Sequence, residues 1–317
     1  MKMLTYSNND QMPAFGLGTW KSNLGEVKKA VIHAIESGYR HIDCAAIYGN
    51  ENEVGEGIKH SLDRGIVKRE DLWITSKLWN NAHKKDDTGP ALEKTLKDLK
   101  LGYLDLYLMH WPVAFKRSVS FPENEDSFLS LDEAPLTETW KAMEDLKEKG
   151  LTKHIGVSNF SRQKLQLLID QSDQKPENNQ IELHPYLQQQ ALVDFCHEND
   201  IHVTAYSPLG SMDRPDNMKR KGEPVPLENE VIKSLAKGYD ASPAQILIAW
   251  ALQRNMSVIP KSTNPKRIEE NFAAQKIALT EQEMKLIKSL DHGERIIDGS
   301  FFNAASKGYS IATLWDE

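Results

Sequence analysis

Short apolar runs and amphipathic stretches alternate along most of the chain. The runs are rich in β-branched and aromatic residues, a composition typical of buried strands. They cover residues 15–20, 39–45, 72–79, 103–111, 153–159, 179–185, 201–209 and 256–262. The pattern therefore predicts eight strands, each followed by a helix or a longer crossover.

The stretches between the runs show helical spacing. Residues 26–37 place apolar side chains on one face, namely Val27, Ala30, Val31, Ala34 and Ile35. A helix is predicted over 90–99, because it begins with Pro90, and proline is favoured at the first helical position. Residues 242–253 begin with a capping serine followed by proline, which predicts another helix start.

Alternation of strands and helices indicates a parallel sheet. Eight such units without a linker favour a closed (β/α)8 TIM barrel, preceded by a hairpin that turns at Asn8–Asp10. An open doubly wound sheet is the alternative, but its GxGxxG fingerprint is missing: residues 16–21 offer GxG, and Trp20 stands where the helix would begin. We expect one domain over 1–317, with 291–317 as a C-terminal tail.

Two long loops follow predicted strands, at about 112–136 and 210–227. Loops of this length are usually functional or mobile. In a barrel they emerge at the carboxyl ends of the strands, where active sites lie. The C-terminal tail is a third irregular stretch.

Composition narrows the class of protein. Of 317 residues, 39% are hydrophobic and 27% are charged, as in a globular soluble protein. A formal net charge of -7 argues against broad binding to nucleic acid or to an anionic membrane. The N-terminus lacks the apolar core of a signal peptide, and no apolar run is long enough to span a bilayer. We therefore expect a cytoplasmic protein.

The number and spacing of the cysteines also indicate a reducing compartment such as the cytoplasm. The chain has two cysteines, Cys44 and Cys196, and no CxxC motif or Cys/His cluster. Neither a zinc site nor a disulfide framework is predicted. Two buried thiols in a reducing compartment are the expected state.

Four polar side chains lie at or just after the ends of three consecutive predicted strands. They are Asp43, Tyr48, Lys77 and His110. Because neighbouring strands of a barrel share one rim, an acid, a phenol, an amine and an imidazole are expected to converge. A buried carboxylate is costly unless it is paired, so Asp43 is predicted to pair with Lys77.

This grouping suggests proton transfer to a carbonyl. A free tyrosine titrates near pH 10, and a neighbouring ammonium is expected to lower the pKa of Tyr48, making it a general acid. A neutral His110 could orient a substrate carbonyl by a hydrogen bond. Such a site needs a hydride source, which implies a nicotinamide cofactor.

Each residue alone has a plainer interpretation. Asp43 could cap a turn, Tyr48 could serve packing, and His110 could be a hydrogen-bonded core histidine. Lys77 could be a surface residue or a Schiff-base lysine, as in barrel aldolases. Their joint placement on three adjacent strand ends favours the catalytic interpretation.

The four residues stand in motifs that resemble the aldo-keto reductase family. The motifs are HIDCAAIYGNE, ITSKLWN and LYLMHWP, together with GLGTW, GVSNF, IELHPYL, TAYSPLGS and IPKSTNPKRIEEN, in order over about residues 10–275. The aldehyde reductase and aldose reductase branch is most similar. The resemblance implies a (β/α)8 barrel, a catalytic tetrad of these four residues, and NADPH-dependent reduction of aldehydes or ketones, usually by a monomer.

The resemblance also implies cofactor contacts. Lys261, Ser262, Thr263 and Arg267 would bind the adenosine 2′-phosphate, with Glu270 and Asn271 at the adenine. Ser158, Asn159 and Gln180 would bind the nicotinamide carboxamide, Tyr206 would stack on its ring, and Ser207, Leu209 and Ser211 would contact the pyrophosphate. Thr19, Trp20, Lys21 and Asp43 complete the set. A strap in which Asp213 reaches Lys21 and Lys261 across the cofactor is a further expectation.

Tryptophans follow or end several tetrad strands, and the predicted substrate residues are Trp20, Tyr48, Trp79, His110 and Trp111. Phe115, Phe121, Phe301 and Phe302 are candidates for an outer wall. Such a pocket suits hydrophobic aldehydes and the faces of sugars. Cations in the second loop, Arg214, Lys219, Arg220 and Lys221, could attract uronate-type or keto-acid substrates, or could simply be solvated.

Two other functions stay open at this point. A non-catalytic binding or structural subunit of the same fold is one, although it would not need Lys77 beside Tyr48. A metal-dependent barrel hydrolase is the other, but no HxH ends the first strand and no metal site is predicted. Physiological substrate and the role of the tail are not determined by the sequence.

Overall fold

Eight parallel strands form the centre of the protein in the computed structural model, which describes residues 1–23 and 25–316. In chain order, the first to eighth barrel strands are Leu17–Gly18, His41–Asp43, Trp73–Leu78, Leu104–Met109, Thr152–Ser158, Asn178–Glu182, His202–Tyr206 and Ser257–Val258. Six of them fall inside a predicted apolar run, and the fifth and sixth begin one residue before theirs, at Thr152 and Asn178. The strands are short, and nearly every side chain on them is buried, as in a sheet covered on both faces.

The strands pair in chain order and close on themselves. Each neighbour pair is parallel, from Leu17 opposite Ile42 to Ala205 opposite Val258. Parallel bridges from Phe15 to Val258 and from Gly18 to Lys261 join the first strand to the eighth. The predicted closed barrel is confirmed, and the open doubly wound sheet is wrong.

Helices surround the barrel. Within the described residues they are α1 (Val27–Glu36), α2 (Glu51–Asp63), α3 (Lys85–Leu99), α4 (Leu136–Glu148), α5 (Arg162–Gln171), α6 (Gln190–Glu198), α7 (Glu230–Gly238), α8 (Pro243–Gln253), α9 (Pro265–Ala273), α10 (Glu281–Lys288) and α11 (Ile311–Trp315). The serine cap predicted before α8 is present, and it belongs to a capping box in which Ser242 and Gln245 bond to each other's backbone amides.

One helix boundary was predicted wrongly. Helix α3 begins at Lys85 rather than at Pro90, so the proline lies inside the helix. Asp86 and Asp87 occupy its first turn, where acidic side chains complement the positive end of the helix. The preference of proline for the first helical position gave way to this earlier start.

The N-terminal hairpin covers one end of the barrel. Strand Met3–Thr5 pairs antiparallel with Gln11–Pro13, around the predicted turn. Tyr6 directly follows the hairpin strand Met3–Thr5. Its ring packs on the rings of Trp73 and His154, which stand near the amino ends of the third and fifth barrel strands. The carboxyl ends of the strands therefore form the open mouth.

Two large apolar clusters stabilise the part of the chain that the structure describes, beside a small third one of Ala114, Leu129 and Ala134. The larger fills the barrel and the space beneath the helices. The smaller lies above the mouth and joins the loop after the fourth strand to the C-terminal tail, through residues such as Trp111, Phe115, Phe302 and Trp315. That loop forms a small hairpin, Ala114–Phe115 with Phe128–Leu129, and the tail contains α11, so both stretches are more ordered than the sequence indicated.

None of the helices in residues 1–23 and 25–316 is both long and apolar enough to cross a membrane. The last residue of the predicted domain and tail, Glu317, lies outside the described residues.

Helices α2 and α3 touch backbone to backbone at Gly55. A methyl group at this position would lie 2.4 Å from the carbonyl oxygen of Asp98 and 2.7 Å from Cα of Leu99. Backbone atoms cannot yield as a flexible side chain can. The glycine therefore sets how closely α2, which follows Tyr48, approaches α3.

Gly55→Ala is expected to lower the free energy of unfolding by roughly 1–3 kcal/mol, because overpacking outweighs the gain in helix propensity. Gly238→Ala at the last residue of α7 is the control, since no atom lies within 4 Å of its added methyl. The control should leave stability unchanged or raise it by about 0.5–1 kcal/mol. Urea unfolding of both variants measures the difference, and equal midpoints would contradict the close-contact argument.

Candidate active site

A buried ion pair lies at the mouth of the barrel. Lys77, on the third strand, is 0% exposed, and its Nζ lies 2.5 Å from Oδ1 of Asp43, at the end of the second strand. The same ammonium donates to the carbonyl oxygen of Cys44 at 2.7 Å. The two charges therefore satisfy each other where neither could be hydrated.

Asp43 is also held from across the barrel. Gln180, on the sixth strand, donates from Nε2 to Oδ2 of Asp43 at 2.7 Å. Both carboxylate oxygens of Asp43 thus have a partner, and the side chain is held in one orientation. The sequence placed Gln180 at the cofactor and did not predict this bond, because nothing in a linear pattern reports contacts across a barrel.

Tyr48 stands at the end of a short 3-10 turn, Ala46–Tyr48, that leaves the second strand. Nζ of Lys77 donates to its hydroxyl at 3.5 Å, and the ammonium lies 5.2 Å from the ring centre. Lys77 is therefore shared between the carboxylate and the phenol, as predicted for the group of four.

The expected shift in the pKa of Tyr48 is wrong in direction. Burial raises the pKa of Tyr48 to about 12, while Lys77 lowers it and Asp43 raises it further. Loss of hydration outweighs the neighbouring ammonium, because a phenolate is poorly stabilised in a buried site. Since this pKa lies far above neutral pH, the phenol keeps its proton there, and Lys77 limits the rise.

His110 follows the fourth strand and faces the phenol. Its ring centre lies 6.0 Å from that of Tyr48 and 5.2 Å from the ring of Trp79. Burial lowers the pKa of His110 well below its usual value, and the charge of Lys77 and the nearby His83 lower it further. The imidazole is therefore neutral at physiological pH, as the sequence argument required.

A chain of hydrogen bonds connects the ends of the fourth to seventh strands. Tyr206 donates through its hydroxyl to Oδ1 of Asn159 at 2.7 Å. Asn159 donates from Nδ2 to the carbonyl oxygen of His110 at 3.0 Å and to Oγ of Ser158 at 3.1 Å. Ser158 donates to the carbonyl oxygen of Gln180 at 2.8 Å. The predicted carboxamide residues are thus fixed to one another and to the tetrad.

One cavity of about 760 Å³ opens beside this network. It is lined by almost all predicted site residues, namely Thr19, Trp20, Asp43, Tyr48, Trp79, His110, Trp111, Ser158, Asn159, Gln180, Tyr206, Ser207, Leu209, Ser211, Asp213, Lys261, Ser262, Thr263, Arg267, Glu270 and Asn271. Lys77 stands behind Asp43, and Lys21 reaches the cavity only through its contact with Asp213. The structure therefore brings the predicted residues to one elongated cleft.

The far end of the cleft is suited to an anion. Helix α9 begins there, capped by Asn264, which accepts from the amide of Arg267 at 3.2 Å. Free amides at a helix N-terminus favour a phosphate group. Lys261 and Arg267 line the same end and add positive charge.

A contact crosses the cleft between its two ends. Lys261 pairs with Oδ2 of Asp213 at 3.0 Å, and Lys21 donates to the carbonyl oxygen of Asp213 at 2.5 Å. The three residues of the predicted strap are in contact, although Lys21 binds the backbone and not the carboxylate. Partial burial lowers the pKa of Lys21 to about 8, with Asp213 opposing the shift and Lys261 adding to it.

The inner end of the cleft is aromatic. Phe121 and Phe301 line it together with the three predicted tryptophans, whereas Phe115 and Phe302 are buried behind Trp79. Sequence reasoning missed Ile47, Met218 and Ile297 on the same walls and Ser242–Ala244 at the start of α8. The Ser-Pro pair at the start of α8 could have indicated Ser242–Ala244. The positions of Ile47, Met218 and Ile297 depend on how the loops pack, which the sequence does not report.

Within residues 1–23 and 25–316, there is no group of three or more histidine, cysteine or acidic side chains placed to hold a metal ion. Cys44 and Cys196 are both buried free thiols.

Known proteins resemble this chain over most of its length. Residues 14–292 match the sequence model described as the aldo/keto reductase family. An aldo/keto reductase of Synechocystis is 50% identical over 317 residues, covering 100% of this chain and 97% of that protein. Aldo-keto reductase family 1 member A1 of Homo sapiens is 48% identical over 289 residues, covering 90% of this chain and 88% of that protein.

Solved structures show the same fold. A Bombyx mori aldo-keto reductase in complex with NADP superposes with a TM-score of 0.84 at 38% identity, covering 94% of this chain and 95% of that one. The aldose reductase from Schistosoma japonicum superposes with a TM-score of 0.87 at 40% identity, covering 95% of this chain and 96% of that one. The resemblance inferred from the sequence motifs is confirmed.

Proposed function

The chain belongs to the aldo/keto reductase family and is an NADPH-dependent oxidoreductase, and we propose that it reduces uncharged aldehydes and ketones to alcohols with Tyr48 as the general acid. The observation that supports this most directly is the ammonium of Lys77, placed between Asp43 and Tyr48 beside a neutral His110. No structural role needs this combination at the mouth of a barrel.

The cleft fits a nicotinamide dinucleotide. Ser158, Asn159 and Gln180 would hold the carboxamide at the tetrad, with the ring of Tyr206 as a stacking surface. Gln180 has its Nε2 committed to Asp43, so its Oε1 is left to accept a hydrogen bond in the cleft. The oxygens of Ser207 and Ser211, 2.6 Å apart, lie on the way to the anion site, where they and Leu209 would contact the pyrophosphate.

The adenosine end would be held by residues at and before α9. Lys261, Ser262, Thr263 and Arg267 would bind the 2′-phosphate, through the amides of the helix start and two positive charges. Glu270 and Asn271, one turn further along α9, would contact the adenine. Thr19, Trp20 and Lys21 would close the opposite wall.

The proposed reaction places the protein's groups in distinct roles. NADPH, when bound, supplies the hydride for the carbonyl carbon. Tyr48 donates its phenolic proton to the carbonyl oxygen as negative charge develops there. His110 donates a hydrogen bond that orients the carbonyl, and it can do so as a neutral imidazole.

Lys77 stabilises the phenolate of Tyr48 that remains after the proton has been donated. Burial makes this anion costly, as the raised pKa of Tyr48 indicates, and the ammonium offsets part of that cost. Asp43 and Gln180 keep the ammonium in place. The pair therefore prepares the site for the charge that forms during turnover, which is where preorganised electrostatics are most effective.

Uncharged carbonyl compounds are the proposed substrates. Trp20, Trp79, Trp111, Phe121 and Phe301 line the inner cleft, and no lysine or arginine lines that end among the described residues. Aromatic faces favour apolar and aromatic aldehydes and also suit the apolar faces of sugars. We therefore expect aromatic aldehydes to be the preferred substrates, followed by sugar aldehydes.

The cations of the second loop do not support acidic substrates. Arg214 is 2% exposed and donates within its own loop, to Glu223 and to the carbonyl oxygen of Met218. Lys219 pairs with Asp216 at 2.9 Å, and Arg220 pairs with Glu294 of the tail. Most of the positive charge is thus already neutralised, which disfavours uronates and keto acids.

Tyr48→Phe should lower reduction of 4-nitrobenzaldehyde by roughly 10²–10⁴-fold, because the proton donor is lost. Affinity for NADPH, measured by fluorescence titration, should be unchanged. Tyr103→Phe, outside the cleft, is the matched control. Loss of reduced-nicotinamide absorbance with aliphatic aldehydes, aromatic aldehydes, aldoses and uronic acids defines the substrate class.

Full activity in Tyr48→Phe would rule out the assigned general acid. A wild-type protein that binds NADPH but reduces none of these compounds would instead favour the non-catalytic binding or structural role.

Arg267→Ala should raise the KM for NADPH about 10–100-fold, since a charge-assisted contact to the 2′-phosphate is lost. The KM for NADH, which lacks that phosphate, should stay nearly constant. Lys266→Ala, at the exposed neighbouring position, controls for charge on α9. Parallel losses with both cofactors would place Arg267 elsewhere than at the 2′-phosphate.

Asp213→Ala should speed release of NADP⁺ by a few-fold, as expected for a partly exposed ion pair worth about 0.2–1 kcal/mol. Asp216→Ala removes a comparable pair with Lys219 in the same loop and should have no effect. Stopped-flow fluorescence measures both rates. If release from Asp213→Ala matches wild type, the pair of the Asp213 carboxylate with Lys261 is not part of a cofactor strap.

We also propose that residues 1–317 form one barrel domain that acts as a cytoplasmic monomer. The eight-stranded sheet that closes between residues 15 and 261 supports a single domain. The monomer and the compartment rest on the resemblance to the family and on the two buried thiols.

A further inference from the structure

The last helix of the chain is tied to the barrel by a carboxylate. Asp316, directly after α11, accepts from Oγ of Ser161 and lies 2.7 Å from Nζ of Lys164. Both partners are nearly buried, and both belong to the start of α5. The family match covers residues 14–292, so Ser161 and Lys164 lie within it and Asp316 lies beyond it.

Lys164 fastens the helix at several points. Besides Asp316, its Nζ donates to the carbonyl oxygens of Thr313 at 2.7 Å and of Leu314 at 3.2 Å. A cation near the carboxyl end of a helix also complements the helix dipole. Ser161 has a second role, because its Oγ caps α5 by accepting from the amide of Lys164. The start of α5 is thus a receiving site for α11.

Helix α11 in turn holds a turn of the tail, residues 298–302. Trp315 donates from its indole nitrogen to the carbonyl oxygen of Asp298 at 2.7 Å. Leu314 packs so closely on Gly299 that a methyl group there would lie 2.3 Å from its Cδ2. The φ of Gly299 is +77°, a backbone conformation that favours glycine, so this turn is specifically shaped for the contact.

The turn places an aromatic side chain in the cleft. Phe301 lines the cavity and contacts the edge of Trp111 at 5.9 Å between ring centres. Trp315 contacts the outer side of Trp111 at the same centre distance. Trp111 and Phe301 are therefore supported from behind by α11, which is fixed by Asp316.

We propose that Asp316 is a positioning residue for substrate specificity: held by Ser161 and Lys164, it fixes α11 and so sets the Trp111–Phe301 wall against which the ring of an aromatic aldehyde packs. This inference rests on the proposed reductase function. A short aliphatic aldehyde reaches the tetrad without using that wall. Loosening the tie should therefore affect the two substrates differently.

The test compares Asp316→Ala, Asp316→Glu and Lys164→Met in the full chain. For the Ala and Met variants, KM for 4-nitrobenzaldehyde should rise at least fivefold, while kcat with propanal and affinity for NADPH stay within twofold of wild type. Asp316→Glu should restore most of the KM, because it keeps the charge. Asp63→Ala, which breaks the exposed pair with Lys59, is the matched control and should match wild type.

Hydrogen exchange provides a readout that needs no activity. Exchange should increase in residues 298–316 of Asp316→Ala and Lys164→Met and stay unchanged in the barrel strands. Unchanged exchange in 298–316, or an equal loss of activity toward both aldehydes, would overturn the proposal. Absence of NADPH-dependent reduction in the wild type would count against the proposed function, whereas the exchange result decides the tie itself.

Discussion

One buried ammonium organises the mouth of the barrel. Lys77 has no exposed surface, and a charge in that position is tolerated only because Asp43 and the carbonyl oxygen of Cys44 surround it. Such a pair is expensive to bury, and a barrel core of apolar residues would be cheaper. Its presence is therefore explained by chemistry at the mouth and not by stability. Gln180 completes the arrangement from the opposite side of the barrel, which turns a pair into a fixed unit.

The ion pair controls what the neighbouring groups can do. Tyr48 is buried enough for its pKa to rise to about 12, and His110 is buried enough to stay neutral. A phenol that keeps its proton and an uncharged imidazole are suited to reduction, where a proton is delivered to a developing alkoxide. Burial thus sets the resting protonation states, and Lys77 stabilises the anion that reduction leaves behind. Lys77 opposes the rise in the pKa of Tyr48 but does not bring this pKa below its normal value.

The walls of the cleft come from segments with little regular structure. The loop after the fourth strand and the C-terminal tail share a second apolar cluster, separate from the barrel core. Tyr309 joins them, since its hydroxyl bonds to both strands of the loop hairpin, at Ala114 and Leu129. Substrate recognition can therefore vary with these segments while the tetrad, built on strand ends, stays in place.

Much of this could be predicted from the sequence, and the reason is local. Eight strands follow from apolar runs, and Asp43, Lys77 and His110 follow from where those runs end, since parallel strands present their carboxyl ends at one edge. The barrel and the types of residue at its mouth therefore follow from the order of residues along the chain. Other features arise only in the folded molecule, namely the bond from Gln180 to Asp43, the raised pKa of Tyr48, the neutralised cations of Arg214 and Arg220, and the tie from Asp316 to α5. Each of these depends on burial or on a contact between residues far apart in the chain, and no pattern of neighbours along the sequence encodes the distance between them.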